Sequence, residues 1–369
     1  MTPVERAVRR EIERRGPIRF AEVVDQALYA TEGGFYASGG RAGRRGDFLT
    51  SPEVGPLFGV VIARALDAWW DEGGRPAAFP VVEAGAGPGT LARSVLAAQP
   101  RCGPALRYVL VERAATQREL HELHLALEPV ASALPSTRDA DEDGPRSTFA
   151  PPSGPIVVSL PELPRLSGPC VVLANELLDN LPFGLLERTP RGWAEVHVGL
   201  EGDELAEVLV PTTEEPAIDA AVGARVPVQR TAAEWVEEAT AVAGPGGRVV
   251  AFDYASTTAD LAGRPWSEWV RTYRGHALGA GPLDDLGSQD ITCEVAVDQL
   301  PRPSASSSQA DWLREHGIDD LVAEGHAEWE ARAAVGDLAA VRARSRVREA
   351  EALLDEGGLG GFRVLEWRG

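Results

Sequence analysis

The chain has 369 residues, with 44% hydrophobic and 25% charged positions, an ordinary balance for a globular protein long enough for one large domain or two moderate ones. Its formal net charge of −20 disfavours nucleic-acid phosphates and anionic membranes and suits a basic, arginine-bearing protein partner, with plain solubility as the competing reason for the acidity. Cys102, Cys170 and Cys293 form no C-x-x-C, which argues against a disulfide framework or a zinc site and suits a reducing cytoplasm.

Apolar Val4, Ala7, Val8 and Ile12 predict a helix over residues 4–15, ended by Gly16-Pro17. Its charges, from Glu5 and Arg6 onward, leave no apolar core for a secretory signal, and its glutamates argue against a transit peptide. No apolar run reaches the roughly 18 residues that a spanning helix needs. Phe20 to Tyr29 reads as a second helix. Residues 31–53 are rich in glycine and aromatics, too irregular for one element, and read as a functional loop. A helix with an apolar face is expected from Val54 to Trp70.

The chain then turns on PVVEAGAGPGTL, residues 80–91. An apolar strand, Val81 to Ala84, enters a turn at Gly85, Gly87 and Gly89 and leaves into a helix. Glycine lets the backbone bend sharply and lets a ligand approach it, while amides of the turn and of the helix start point toward that ligand. A dinucleotide site would read G-x-G-x-x-G, with the third glycine where Thr90 stands. With Glu83 in front, the pattern is E-x-G-x-G-x-G, that of S-adenosylmethionine (SAM) sites. A glycine loop without ligand is the plain alternative.

A second strand, Arg107 to Val111, ends at Glu112, a carboxylate able to accept hydrogen bonds from both ribose hydroxyls or to stand solvated. A helix follows over 115–127. Its HELH lacks the i, i+4 histidines of a metalloprotease helix and reads as helix surface. Residues 135–154, with acidic 139–143, suggest a surface loop. Ile156 to Leu160 is a third strand, ending near Ser159 and Glu162, where adenine would be read. Cys170 to Ala174 is a fourth, running into ANELLDNLP. There Asn175, Glu176 and Asp179 offer an amide and two carboxylates that match a guanidinium; helix capping by Asn175 with Glu176 behind it is the rival reading.

Alternating residues over 185–210 predict inserted antiparallel strands. Thr231 to Val242 is a helix, and Arg248 to Phe252 a fifth strand ending at Asp253-Tyr254. Ile291 to Val297 and Phe362 to Trp367 are expected to close the sheet, with helices over 310–354 between them. His276, among aromatics and arginines, reads as structural. No metal ligand set, no G-x-S-x-G elbow and no phosphate loop is present in the sequence. Strands alternating with helices imply an α/β fold with a mostly parallel sheet covered on both faces.

GPIRFAEVVDQALYATEGGFY, GDFLTSPEVGPLFG, VVEAGAGPGTLARSVL, LANELLDNLPF, VVAFDYA, SQDITCEV and GLGGFRVLEWR together resemble the MidA family of SAM-dependent methyltransferases over nearly the full length. The resemblance implies a Rossmann-like core over 76–300 with an insertion around 185–245, an N-terminal helical extension with a cofactor-covering loop over 1–75, and C-terminal helices with a closing strand over 301–369. It implies SAM as cofactor, lined by Thr50, Ser51, Pro52, Glu83, Gly85, Gly87 and Glu112. Asn175, Glu176 and Asp179 would be the catalytic group, methylating arginine in a protein. Val60, Pro88 and Leu359 depart from the family pattern. Two other functions stay open: a SAM-binding assembly factor with little catalysis, and a methyltransferase for a small molecule.

Overall fold

The structure is a computed structural model, describing residues 1–39, 50–134, 153–166, 168–275, 277–332 and 337–369. His276, the acidic stretch 139–143 and residues 40–49 of the 31–53 loop lie outside the described residues. The chain forms two compact units, each drawn from three stretches: 50–175, 239–252 and 304–369 in one, and 1–49, 176–238 and 253–303 in the other. The boundary expected at 75 falls inside the first, and that at 300 inside the second.

The first unit is built on a seven-stranded sheet. Its strands are β1 (Phe79–Ala84), β2 (Leu106–Val111), β3 (Ile156–Leu160), β4 (Val171–Asn175), β5 (Arg248–Asp253), β6 (Ala305–Ser308) and β7 (Arg363–Arg368). Their spatial order is β6-β7-β5-β4-β1-β2-β3. The pairs β1–β2, β2–β3, β1–β4 and β4–β5 are parallel, and β6–β7 is antiparallel. Every residue of β2 and β5 is buried, as a strand covered on both faces requires. The strand order reverses between β1 and β4, so the carboxyl ends of these two strands flank the crevice where open α/β sheets bind ligands.

The sequence predicts one helix from Val54. The structure instead shows α1 (Ser51–Val54) and then α2 (Pro56–Glu72). Pro56 lacks an amide proton and has its φ preset for a first helical turn, so a new helix starts there. Helix α3 (Thr90–Ala97) follows the glycine turn, and α4 (Ala115–His124) follows β2. The C-terminal helices are α5 (Gln309–Glu315), α6 (Ile318–Arg332) and α7 (Leu338–Leu354). Buried Phe58, Val61, Ile62 and Leu66 of α2 pack with Val81, Leu110, Phe252, Trp312 and Leu353 in one core.

The second unit is mostly antiparallel, with one short parallel pair, Ala255–Ser256 on Val295–Ala296. Its five-stranded sheet runs Ile18–Arg19, Gly192–Glu201, Gly184–Thr189 and Arg225–Val228, with Glu204–Pro211 also on Gly192–Glu201. This is the insertion that the alternating pattern predicts. Helices Pro3–Arg15 and Phe20–Tyr29 bury Val4, Val8, Ile12, Val23, Val24 and Leu28 in the unit's core. Asp290–Cys293 is not a closing strand of the parallel sheet, as the sequence suggests. It pairs with Val270–Arg274 in a separate three-stranded sheet. The parallel sheet is completed by β7, as expected, and by β6, whose ASSS carries no residue that favours a strand; only its ladder with β7 makes it one.

Helix α7 secures the start of α2. Glu349 is buried, and its Oε2 accepts the amide of Leu57 at 2.9 Å while Oε1 accepts the hydroxyl of Ser345 at 2.8 Å. This caps an otherwise unsatisfied helix N-terminus with a negative charge. Gly55 makes room for it: a Cβ there would stand 2.2–2.6 Å from the Glu349 carboxyl. Gly55→Ala is therefore expected to displace Glu349 and cost about 1–3 kcal/mol, the range for a buried hydrogen-bonding group left unpaired. Denaturant melts of Gly55→Ala, Glu349→Ala and the double variant test this, because the two losses are one loss and the double variant should barely exceed either single.

Candidate functional site

In the parallel-sheet unit, Gly85, Gly87 and Gly89 have φ of 66°, 51° and 81°, the left-handed region that a side chain resists. Gly85 is exposed at the end of a buried strand, and a Cβ on Gly87 would meet nothing within 4 Å. The turn is open at Gly85 and Gly87, whereas Gly89 is buried, its would-be Cβ 3.2–3.4 Å from side chains of Leu110, Leu125 and His121. The two peptide groups that flank the Gly87 Cα are each held by a side chain. The amide of Gly87 donates to Glu112 Oε2 at 2.9 Å, and His121 Nε2 lies 2.7 Å from the Gly87 carbonyl oxygen. A carbonyl only accepts, so Nε2 carries the proton, and Nδ1, 2.9 Å from Ser159 Oγ, receives the hydroxyl. Burial lowers the His121 pKa, which keeps this neutral form. The sequence places HELH on a helix surface. His124 is exposed there, but His121 is fully buried beneath the turn. A single histidine inside a polar stretch gave no sign of this.

Glu112 has its other oxygen, Oε1, on the amide of Ala114 at 2.8 Å. Each carboxylate oxygen has two lone pairs, so these bonds do not exhaust its acceptors. Burial raises its pKa, and the amides of Ala114, Gly87 and Arg113, with the Arg118 charge, oppose that rise. Glu83 behaves differently. It is buried in β1, its Oε2 accepts the Tyr108 hydroxyl from β2 at 2.6 Å, and burial pushes its pKa up to about 8. It braces the strand beneath the turn as a neutral acid.

Thr90, where a dinucleotide fold has glycine, donates its hydroxyl to Glu53 Oε1 at 2.6 Å and so ties α1 to the start of α3. Thr50, Ser51 and Pro52 are all buried beside that tie. Ser51 is fully buried and donates to Gln309 Oε1 at 3.0 Å, which anchors the segment from below.

Asn175 is the last residue of β4, paired with Phe252. Glu176, next along the chain, opens the antiparallel unit's stretch with φ of 50°, a strained conformation for a non-glycine residue. The expected helical turn bearing Glu176 and Asp179 on one face is replaced by a 3₁₀ turn, Leu178–Asn180, beginning after Glu176. Asn175 is not its cap. Asp253 is: its Oδ2 accepts the amides of Leu178 at 2.9 Å and Asp179 at 3.3 Å. Sequence spacing could not reveal a cap 75 residues away along the chain.

This turn carries a buried acid cluster. Asp179 Oδ2 accepts the Tyr254 hydroxyl at 2.6 Å. Asp290 accepts the Tyr36 hydroxyl at 3.2 Å and the Asn180 amide at 3.1 Å. Burial raises all three acids, Asp179 and Asp290 to about 7, and the Asp179 charge adds to the rise at Asp253 and Asp290. Among the described residues no arginine or histidine pairs with any of them. Asp253, Asp290 and Tyr36 sit in DYA, SQDIT and GGFY, far apart in the chain, and only the fold assembles them.

The chain matches a family model described as "Putative S-adenosyl-L-methionine-dependent methyltransferase" over residues 61–315. It is 30% identical over 342 residues to the mitochondrial protein arginine methyltransferase NDUFAF7 of Mus musculus, covering 86% of this chain and 75% of that one. The Rattus norvegicus protein of the same name is 28% identical with the same coverage. A solved structure described as a "likely methyl transferase from Burkholderia thailandensis bound to S-adenosyl-homocysteine" superposes with a TM-score of 0.76 at 26% identity, over 98% of this chain and 91% of that one. The cytoplasmic location expected from the cysteines is overturned by these relatives, which are mitochondrial. Free, buried thiols indicate only a reducing environment, and do not choose between compartments that share one.

Two outcomes follow from this geometry. His121→Ala removes the donor to the Gly87 carbonyl, so calorimetry should find S-adenosyl-homocysteine bound about tenfold more weakly, the worth of one such bond. Glu83 keeps a proton in the folded state from about pH 4.5, its ordinary value, to about 8. Its contribution is therefore complete below that window and lost as pH rises through it. Asp179 and Asp290 act with the same sign up to about pH 7. Unfolding free energies of Glu83→Gln between pH 5 and 8 should decline less steeply than wild type, by about 1.4 kcal/mol per pH unit for the one missing proton.

Proposed function

The chain belongs to the MidA family of SAM-dependent methyltransferases, and we propose that it methylates arginine side chains of a protein. It is an enzyme with SAM as its cofactor. The observation that carries the arginine reading is the buried acid cluster around Asp179, which has no basic partner among the described residues. A guanidinium remains charged in proteins and presents donors in a planar fork suited to carboxylates. The curated relatives, named as protein arginine methyltransferases, support the same reading. A surface of net charge −20 favours a basic protein as the bearer of that arginine.

The glycine turn fits the cofactor: it is open at Gly85 and Gly87, and Glu112 has lone pairs for ribose hydroxyls. Gly85, Gly87 and Glu112 would hold the nucleoside, with Thr50, Ser51 and Pro52 as a buried wall and Glu83 as the brace below. Bound SAM supplies an electrophilic methyl group on sulfonium sulfur. The acceptor's difficulty is that its nitrogen lone pair is delocalised over the guanidinium. Glu176 draws positive charge toward one side of the group and leaves more electron density on the opposite nitrogen. Asp179, whose pKa of about 7 makes it a competent base near neutrality, takes the N–H proton displaced by the new N–C bond. Asn175 orients the donor end.

Glu176→Gln keeps the shape of the side chain and removes its charge. It is expected to bind SAM as wild type does while transfer of tritiated methyl to an arginine peptide drops by at least a hundredfold, the scale of a lost charge-stabilising group. Calorimetry and the transfer assay together check it; full activity in the variant would remove Glu176 from the role.

A further inference from the structure

Asp290 does not belong to the segment that carries Glu176 and Asp179; it starts the strand Asp290–Cys293. It is fully buried, yet four hydrogen bonds arrive at its carboxyl. Tyr36 Oη donates to Oδ1 at 3.2 Å, the amide of Ile291 donates to Oδ1 at 3.0 Å, and Asn180 Nδ2 reaches Oδ1 at 3.1 Å and Oδ2 at 3.3 Å. Asn180 adjoins Asp179, so one 3₁₀ turn carries one acid and orients the other. Tyr36 is fixed in turn: its ring stacks on Tyr29 at 5.5 Å between centroids, and the Tyr29 hydroxyl donates to the Asn180 carbonyl at 3.1 Å.

Asp179 supplies the second, independent sign. It is 3% exposed, and its Oδ1 is buried without closing a hydrogen bond, although the backbone of Asp179 and Asn180 lies near enough to favour its charged form. A buried carboxylate oxygen lacking a donor is unfavourable, and such sites in folded proteins call for an explanation. The neighbours supply none. Asp253 and Glu176 are acids, and Tyr36, Tyr254 and Cys293 are held neutral by burial, with the Asp290 charge adding to this at Tyr36 and the Asp179 charge at Tyr254 and Cys293. Arg271 lies near Tyr254, but among the described residues no cation pairs with Asp179 or Asp290 themselves.

We propose that Asp179 and Asp290 together form the seat of the acceptor guanidinium, with Tyr36 and Asn180 as the residues that position Asp290. The proposal rests on the arginine reading above and deepens it. Two carboxyls on separate elements suit a flat group with five N–H donors, whereas a compact ammonium satisfies such a pair less well. A cation entering the seat favours the charged form of each acid. Both acids hold protons up to about pH 7, so guanidinium uptake releases protons and tightens as pH rises through neutrality.

The test titrates a Gly-Arg-Gly peptide into the full chain with S-adenosyl-homocysteine present, in two buffers of different ionisation heat. Wild type should release protons on binding and prefer Gly-Arg-Gly to Gly-Lys-Gly. Asp290→Asn should bind the arginine peptide at least tenfold more weakly and raise its KM in methyl transfer, with S-adenosyl-homocysteine affinity unchanged. Tyr36→Phe removes one hydroxyl and should weaken binding severalfold; it decides the matter alone if Asp290→Asn fails to fold. Equal peptide affinity in wild type and in the folded variants, with wild type methylating arginine, overturns the seat and leaves the arginine reading standing. A wild type that neither binds the arginine peptide nor methylates any arginine substrate overturns both.

Discussion

The backbone of Gly87, with its N–H in one peptide group and its C=O in the next, is the fixed point of the glycine turn. Its N–H is held by the Glu112 carboxylate and its C=O by the Nε2–H of His121, at 2.9 and 2.7 Å. A glycine turn alone is free to adopt many conformations, and its usefulness as a cradle depends on being held in one. Here the hold comes from two neighbouring parallel segments. Glu112 follows β2, and His121 lies on α4 and is fixed through Ser159 of β3. Strand order thus becomes site geometry: β1, β2 and β3 lie side by side, and the turn after the first is tied to groups beyond the other two.

Thr90 shows how the same architecture departs from a dinucleotide site. Glycine at that position would allow close helix packing. Threonine instead donates to Glu53 and brings α1 onto the head of α3. Below, Ser51 is tied to Gln309 of α5, and the start of α2 to Glu349 of α7. The C-terminal helices are therefore part of the site's support, holding the 50–57 segment from underneath.

The acid cluster follows a different logic. Its carboxyls are buried and receive hydrogen bonds from neutral donors; burial raises their pKa values, and the Asp179 charge adds to the rise at Asp253 and Asp290. Burial without a counter-charge favours the protonated form, and groups shifted in this way cluster at functional sites. The left-handed backbone at Glu176 belongs to the same pattern, strain concentrated where the chain leaves β4.

Strands, helices and the chemistry at their ends are legible in the chain itself. Continuous apolar runs mark β1 to β5, the 3.6-residue period marks Phe20–Tyr29, and E-x-G-x-G-x-G and ANELLDNLP mark the two chemical segments. These are local signals, written within a few residues of one another. Folding settles what depends on distant partners: that ASSS is a strand, that His121 locks a turn 34 residues away, that Asp253 caps Leu178, and that Asp290 and Tyr36 meet beside Asn180. The reason is physical. A hydrogen bond between residues hundreds of positions apart leaves no periodicity in the chain, so the groups that close the site become visible only when packing brings them together.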